Sequence, residues 1–600
     1  HPGNFWNGST WSNGLPNTPQ ENVQIISSSS PNQDIKAYSL LIDADLSVNV
    51  NSYKLILNKD LFAYGNLSGV DELHFEGEQD QYIWGNQCSV SNSVLVSANS
   101  TLHTNNKLRL TASSNSSFGQ LVNLGTVEDS VEFEFYVSLS SGSNNGRYIH
   151  LGSIFENAQL SLIRDQANGI VGLDHSGSNS NKNSIWKWNS NTAGWESPAS
   201  TDAFEIGKAY AIYAGSTSYG NFLVQNGESG VLSLKGLIPN SSSNTIPLSY
   251  NNGQSSSFGF SGGSSVSATE GWNHISNPFP FSVRIKDLIE NSALSNKTIY
   301  IWNGSNFSTY NTSLDIYTNN GTVYIAPGQG FYIQMAGSDQ GSISELTFDK
   351  SSLWTKTSGI KGNFYKNTPV ADGLRINLVS PDSLNHNLDD LWLGFHPSAT
   401  ARFDGAFDAW KIMDYSAKTY IIAPDGEHCA STFNPDSTQF VDLGISSNIP
   451  NGDTLMLKFN LKDLKSFAIV EIEDLKTGIR QNLQSSSNFL LVQDTAISQR
   501  IRLHFKDGLH QSNSSFKKPA FSFYNMDQAC FLKSIGAKHY NEELEVRIFS
   551  LGGQLIESVE WIPAFKDLEV LSNKAPGLYQ VQIYDAQLKE YHSLKILKRP

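Results

Sequence analysis

Cysteine, charge and long apolar runs are all scarce in this chain. Three Cys in 600 residues, Cys88, Cys429 and Cys530, allow at most one disulfide and leave an odd thiol. A small disulfide scaffold is thereby excluded, and the wide spacing fits no zinc pattern. Three buried small hydrophobes is the reading that remains. Charged residues make up 16%, against about 25% in an average globular chain. Lys and Arg number 41 against 56 Asp and Glu, a net charge of -15 without a basic cluster. Duplex nucleic acid is therefore a poor partner. No apolar run approaches the roughly 18 residues of a membrane-spanning helix. Helical periodicity beyond two turns is nearly absent. Catalytic signatures are missing too: no His-Glu-Xaa-Xaa-His, no Gly-Xaa-Ser-Xaa-Gly, no phosphate loop and no Cys-Xaa-Xaa-Cys.

What fills the chain is Ser, Asn, Thr and 47 Gly, together with 32 Phe, 23 Tyr and 12 Trp. Disordered chains lack such aromatics, so several cores are expected. Residues 1–30, with Trp6 and Trp11, read as a loop or cap. From about 38 to 125, short alternating runs such as Tyr53–Leu57 and Ser93–Val96 recur loosely between Asn, Ser, Gly and Asp. That pattern predicts a short β-solenoid over 1–126. Val131–Val137 alternates cleanly, as a half-buried strand does. Strands with frequent turns then predict β-sandwich domains over 127–350 and 351–507. Residues 508–520 read as a linker and 521–600 as a small β module. The fold class expected is all-β and multidomain.

The final module carries Leu544–Phe549, Gly552-Gly553, Leu571-Ser572, Pro576-Gly577-Leu578-Tyr579 and a closing strand holding Lys595 and Lys598. This resembles the type A C-terminal sorting domain of cargo proteins of the Bacteroidetes type IX secretion system. The usual opening Tyr-Pro-Asn-Pro is replaced by Phe523-Tyr524-Asn525. The resemblance implies an Ig-like β-sandwich acting as an export signal. Gly552, Gly553, Leu571, Pro576, Gly577, Leu578, Tyr579, Lys595 and Lys598 are the positions that match. The implied partners are the translocon and its outer-membrane shuttle β-barrel. The implied location is secreted or cell-surface, reached through the periplasm. The start at His1 without Met fits a mature exported protein. The segments Gly271-Trp272, Asn277–Pro280, Ile301–Asn303, Ile325–Phe331, Phe407–Lys411 and Glu473–Gly478 resemble a β-rich region common before such domains, which implies export and no reaction.

The function expected is therefore a non-enzymatic exported protein with no cofactor, no metal and no catalytic residue. A surface adhesin or glycan-binding protein is the alternative, and a polysaccharide-active enzyme a further one. Trp186 and Trp188 sit two apart, so on a strand they share a face. They form either a glycan-stacking platform or a packed sandwich edge against Trp195. Ser130, Ser383, Ser437, Thr454 and Thr495 follow Asp in an Asp-Ser/Thr-apolar pattern, a possible O-glycosylation signal. The pairs Asp389-Asp390 and Glu473-Asp474 read as solvated turn residues rather than acid/base pairs. Calcium at Asp404 and Asp408, or at Asp43 and Asp45, needs a denser set of acids. A free amino-terminal His1 can chelate copper only with a second His opposite, and the sequence nominates none.

Overall fold

The computed structural model describes all residues except 1–2, 29–32, 45, 50–52, 115–116, 138–146, 167–184, 193, 200, 215–229, 251–268, 305, 354–370, 381–385, 414–416, 447–453, 493–499, 507–520, 527–528, 535–543, 551–553, 563–566, 576, 586–589 and 599–600. Strands dominate, and the helices are short, as in Ser161–Gln166 and Ile285–Glu290. The chain is all-β, as its composition and alternation predict. Its contacts gather into two units. The first comprises His1–Ser257, Thr269–Thr312 and Asn320–Asn367; the second comprises Phe258–Ala268, Ser313–Asn319 and Thr368–Pro600.

The first unit opens as a β-solenoid. Seven short strands, from Asn4–Trp6 to Thr126–Glu128, form one parallel sheet. A second sheet runs through Ile35–Ala37, Lys54–Leu57, Asn66–Phe75 and Cys88–Val96. Each coil places one apolar residue above the last. Val23, Leu40, Leu61 and Ile83 stack in the first sheet. Ile35, Leu55, Leu73, Val94 and Leu121 stack in the second. All nine are buried. Coils of roughly twenty residues give the period of a solenoid, and identical facing positions fill the core as in any sheet-on-sheet packing. The amino-terminal segment is a cap: Trp6 and Trp11 pack at 5.2 Å, and the buried Asn4 donates to Gly14 O at 2.8 Å.

The boundary expected at 126/127 does not exist. Ser130–Val137 pairs in parallel with Leu108–Leu110 and antiparallel with Gly230–Leu237, continuing the second solenoid sheet. One core runs from Trp6 to Ile238. A parallel stack leaves an open edge, and these longer strands cover it. At this end the Lys350 ammonium donates to Asn123 O and Pro239 O, both at 3.3 Å. The unit continues with two antiparallel sheets. One contains Arg147–Leu151, Tyr210–Ala214, Ile185–Asn189 and Gly194–Glu196; the other contains Trp272–Ser276, Gly330–Gln334, Thr298–Trp302 and Phe307–Asn311.

The second unit holds an eleven-stranded, mostly antiparallel sheet between Gly373–Val379 and Ile501–Lys506. Its inward residues, from Leu374 to Phe505, form one core. The residues read as solvated turns lie instead on its strands, with Asp389, Asp390 and Asp474 buried and Glu473 half-buried. Asp389 meets Lys411 at 2.5 Å, and Asp390 meets Arg375 at 2.6 Å. Asp474 accepts from Arg500 Nε at 2.6 Å. Burial is tolerable because each carboxylate has a cation and further donors. The predicted linker 508–520 lies outside the described residues. Beyond it come a three-stranded sheet, Phe521–Met526, Ala529–Ser534 and Leu568–Val570, and a four-stranded sheet, Leu555–Trp561, Leu544–Ser550, Gly577–Asp585 and Glu590–Lys598. They enclose a core of their own, including Cys530, Val546, Trp561, Val581 and Ile596.

Candidate functional site

The turn from Leu571 to Gly577 in the last module is held from several directions. Val570 ends the edge strand of the three-stranded sheet, and Leu571 then adopts φ +62° with its side chain buried. A left-handed Leu is strained, so something must fix it. Its N–H donates to Glu557 Oε2 at 3.2 Å. Its carbonyl accepts from Lys598 Nζ at 2.5 Å and from Lys574 N at 3.1 Å. The Lys598 ammonium also donates to Ser572 O at 3.2 Å, and Tyr579 Oη donates to Ala575 O at 2.8 Å. Ser572, Asn573, Lys574 and Ala575 are exposed on this frame.

Lys598 reaches the turn because its strand pairs in register with Gly577–Asp585, Lys598 opposite Gly577 and Ile596 opposite Tyr579. Three of the positions chosen from the sequence, Leu571, Tyr579 and Lys598, thus meet at one turn, with Gly577 at its end. Lys598 serves as an internal staple, since only 6% of it is exposed. Lys595 lies on the same strand, opposite Gln580, and Leu578 lies opposite Leu597. Gly552, Gly553 and Pro576 lie outside the described residues. The other face of this sheet meets the large core. Phe549 packs against that core, and Gln582 Nε2 donates to Arg480 O at 2.9 Å.

In the first unit, the segments singled out in the middle of the sequence converge. Gly271–Asn277 supplies His274, Ile301–Asn303 supplies Trp302, and Pro327–Phe331 leads into Tyr332. His274 Nε2 lies 3.1 Å from His150 Nδ1. His274 stacks on Tyr332 at 4.1 Å, and His150 lies parallel to Trp302 at 6.2 Å. Trp195 closes a further side, 5.6 Å from His274. Desolvation pushes the His150 pKa down to about 3. Desolvation and the neighbouring His150 hold His274 well below its usual value. The pair is therefore neutral at pH 7, and His274 Nδ1 has no hydrogen-bond partner among the described residues. Gly330 makes room, because a Cβ there would lie 2.8 Å from His150 Cβ.

Trp188 is no platform. It is 2% exposed, donates to Trp272 O at 2.9 Å, and meets Trp195 edge-on at 5.4 Å. Trp186 is half-buried. Adjacent sheets claim the face that the spacing defines. Of the O-glycosylation positions, Ser437 is exposed in a turn, where its Oγ donates to Asn434 O at 3.4 Å. Ser130 and Thr454 are half-buried on strands. Ser383 and Thr495 lie outside the described residues, as do His1 and Asp45.

No local pattern announces the Ser431–His428–Asp425 alignment. Ser431 Oγ lies 3.1 Å from His428 Nδ1, and Asp425 Oδ1 lies 3.6 Å from Nε2. Ser431 is 1% exposed and His428 fully buried, with Trp410 edge-on at 4.8 Å. A nucleophile must reach its substrate, so this arrangement is structural. Desolvation raises the pKa of the nearby Asp408 well above its usual value, although Asp404 N and Thr432 N donate to it. Among the described residues, no group of three His, Cys, Asp or Glu is placed to hold a metal ion.

A family model described as a domain of unknown function (DUF8693) matches residues 167–505. No curated protein matches the chain.

Proposed function

The chain belongs to the DUF8693 family, and from the resemblance carried by its last module we propose that it is a non-enzymatic protein exported by the type IX secretion system. The module from 521 to 600 is its export signal, read by the translocon and the outer-membrane shuttle. Delivery is through the periplasm to the cell surface or the medium. The observation that carries this reading is the convergence of Leu571, Tyr579 and Lys598 on one exposed turn. Residues that resemble a sorting motif build a single displayed feature, where an ordinary sandwich needs only a loop. A fixed loop binds without the cost of ordering it.

The roles of the matching residues differ accordingly. Lys598 and Tyr579 position the turn, and Ser572, Asn573, Lys574 and Ala575 present side chains to the machinery. Full-length chain carrying Lys598→Met accumulates in the periplasm, whereas Lys595→Met, which leaves the staple intact, is delivered. Cell fractionation in a strain with an intact type IX system reads both. Normal surface delivery of a chain truncated after Phe505 would falsify the proposal.

A further inference from the structure

We propose that the outer face of the first solenoid sheet binds a neutral polysaccharide by stacking its sugar rings on exposed aromatic side chains. The same alternation that points Val23, Leu40, Leu61 and Ile83 inward points their strand neighbours outward. Phe5, Gln24, Leu41, Phe62 and Trp84 form one outward row in strand register. Tyr82 stands opposite His103 in the next row, and Tyr64 follows the end of its strand.

Single exposed apolar residues are ordinary, but Phe62, Tyr64, Tyr82, Trp84 and the His103 imidazole gather on three neighbouring strands, and such a ring cluster marks a binding surface. Phe5 is 41% exposed, Tyr64 48% and Trp84 40%. Within each neighbouring pair the rings are close to parallel. Tyr82 and Trp84 lie 5.3 Å apart at 21°, Tyr82 and His103 lie 4.4 Å apart at 9°, and Phe62 and Tyr64 lie 6.5 Å apart at 24°. Gly85 lets the coil turn tightly beside Trp84: its φ is +97°, and a Cβ would lie 2.4 Å from Ala63 O. Rings held by a rigid parallel stack are pre-organised for a ligand.

The chemistry around the rings selects the ligand. Strands in a sheet repeat at about 4.8 Å, close to the rise of one hexose in an extended chain. Polar groups flank the row, ready for hydroxyls. Gln24 Nε2 is held by Asp43 at 2.7 Å, and Asp80 lies 3.7 Å from His103 Nε2. The Lys59 ammonium donates to the Asp80 carbonyl and sits 5.9 Å from the Tyr82 ring centroid. Carboxylates at the rim of a chain with net charge -15 repel anionic polymers. Apolar sugar faces suit the rings, and neutral hydroxyls suit the rim. Binding here is independent of the route by which the chain reaches the surface.

The test is affinity electrophoresis of the full chain in gels containing hydroxyethyl cellulose, xyloglucan, galactomannan or alginate. Retardation by at least one neutral polymer and none by alginate is the expected result. Trp84→Ala and Tyr64→Ala each weaken binding by about tenfold. Trp186→Ala leaves it unchanged. Unchanged unfolding midpoints of the variants separate lost contact from lost fold. Absence of retardation by all three neutral polymers overturns the proposal. So does retardation that survives both substitutions, stronger retardation by alginate, or a dimer in sedimentation that Trp84→Ala dissolves, since the face would then belong to a second copy.

Discussion

At the residue scale, the histidine pair makes a definite demand on pH. Both imidazoles are neutral when folded, and His150 takes a proton only near pH 3. In the unfolded chain each titrates near 6.5. Below that value the unfolded chain binds protons that the folded pair refuses. Stability is therefore fully present above about pH 6.5 and falls as pH drops towards 3. His274→Gln removes one of the two groups, so the fall in denaturant midpoint over this window becomes shallower. An unchanged slope would show that other groups carry the acid sensitivity. Little of this was legible beforehand. His150 and His274 sit on separate strands, and only tertiary pairing brings their ring nitrogens to 3.1 Å. Lys598 was visible as a motif position, but the carbonyls that its ammonium reaches, on Leu571 and Ser572, lie 27 and 26 residues away.

At the element scale, the glycines of Gly328–Gly330 acquire a physical reason. Gly328 adopts φ +65°, and Gly330 faces the backbone of the strand bearing His150. A methyl at Gly330 would lie 2.8 Å from His150 Cβ and 2.9 Å from Ala209 Cβ. Neither neighbour is the flexible end of a side chain, so the strands must part. Gly330→Ala should cost about 1–3 kcal/mol, the usual penalty of overpacking. Chemical denaturation measures it. Gly341→Ala provides the contrast: its φ is +77° and no atom of the described residues lies within 4 Å of the added Cβ, so its penalty is backbone strain. A Gly330→Ala loss no greater than that of Gly341→Ala would remove the close approach as the cause.

Strand existence was read well at this scale, because alternation and Asn/Gly punctuation are local signals. The solenoid was legible for the same reason: Tyr53–Leu57 and Ser93–Val96 repeat one pattern at similar intervals. Its end was not. Val131–Val137 alternates like a sandwich strand, yet it pairs with the last coil. Partner choice depends on an open edge that no local pattern records. The outward ring row escaped notice for a related reason. Tyr82-Ile83-Trp84 shows which side is aromatic, but not that Phe62 and His103 stand beside it.

At the scale of the whole molecule, the two units differ in how they answer acid. The first carries His150 and His274, whose suppressed protonation removes stability as pH falls below about 6.5. The second carries Asp408, whose carboxyl burial holds well above the usual range. When folded, this group takes up its proton at higher pH than when unfolded. Its contribution therefore increases stability as pH falls, until the unfolded carboxylate also protonates near 3.8. Asp425 and Glu473 act in the opposite sense. Burial alone would raise them, but the neighbouring His428 imidazole and the hydrogen bond from Phe403 N at Asp425, and hydrogen bonds from His504 and Arg480 at Glu473, leave them below their usual values. Their loss begins only as pH approaches their unfolded values near 4. Between about pH 6.5 and 5, acidification thus weakens the first unit through its histidine pair, whereas the raised carboxyl of Asp408 acts in the opposite sense in the second. Calorimetry of the full chain should resolve two transitions that separate across this window. The lower one belongs to the unit whose shift is reduced by His274→Gln. A single transition that moves as one would mean that the two units unfold cooperatively, and the histidine pair would then set the acid limit of the entire protein.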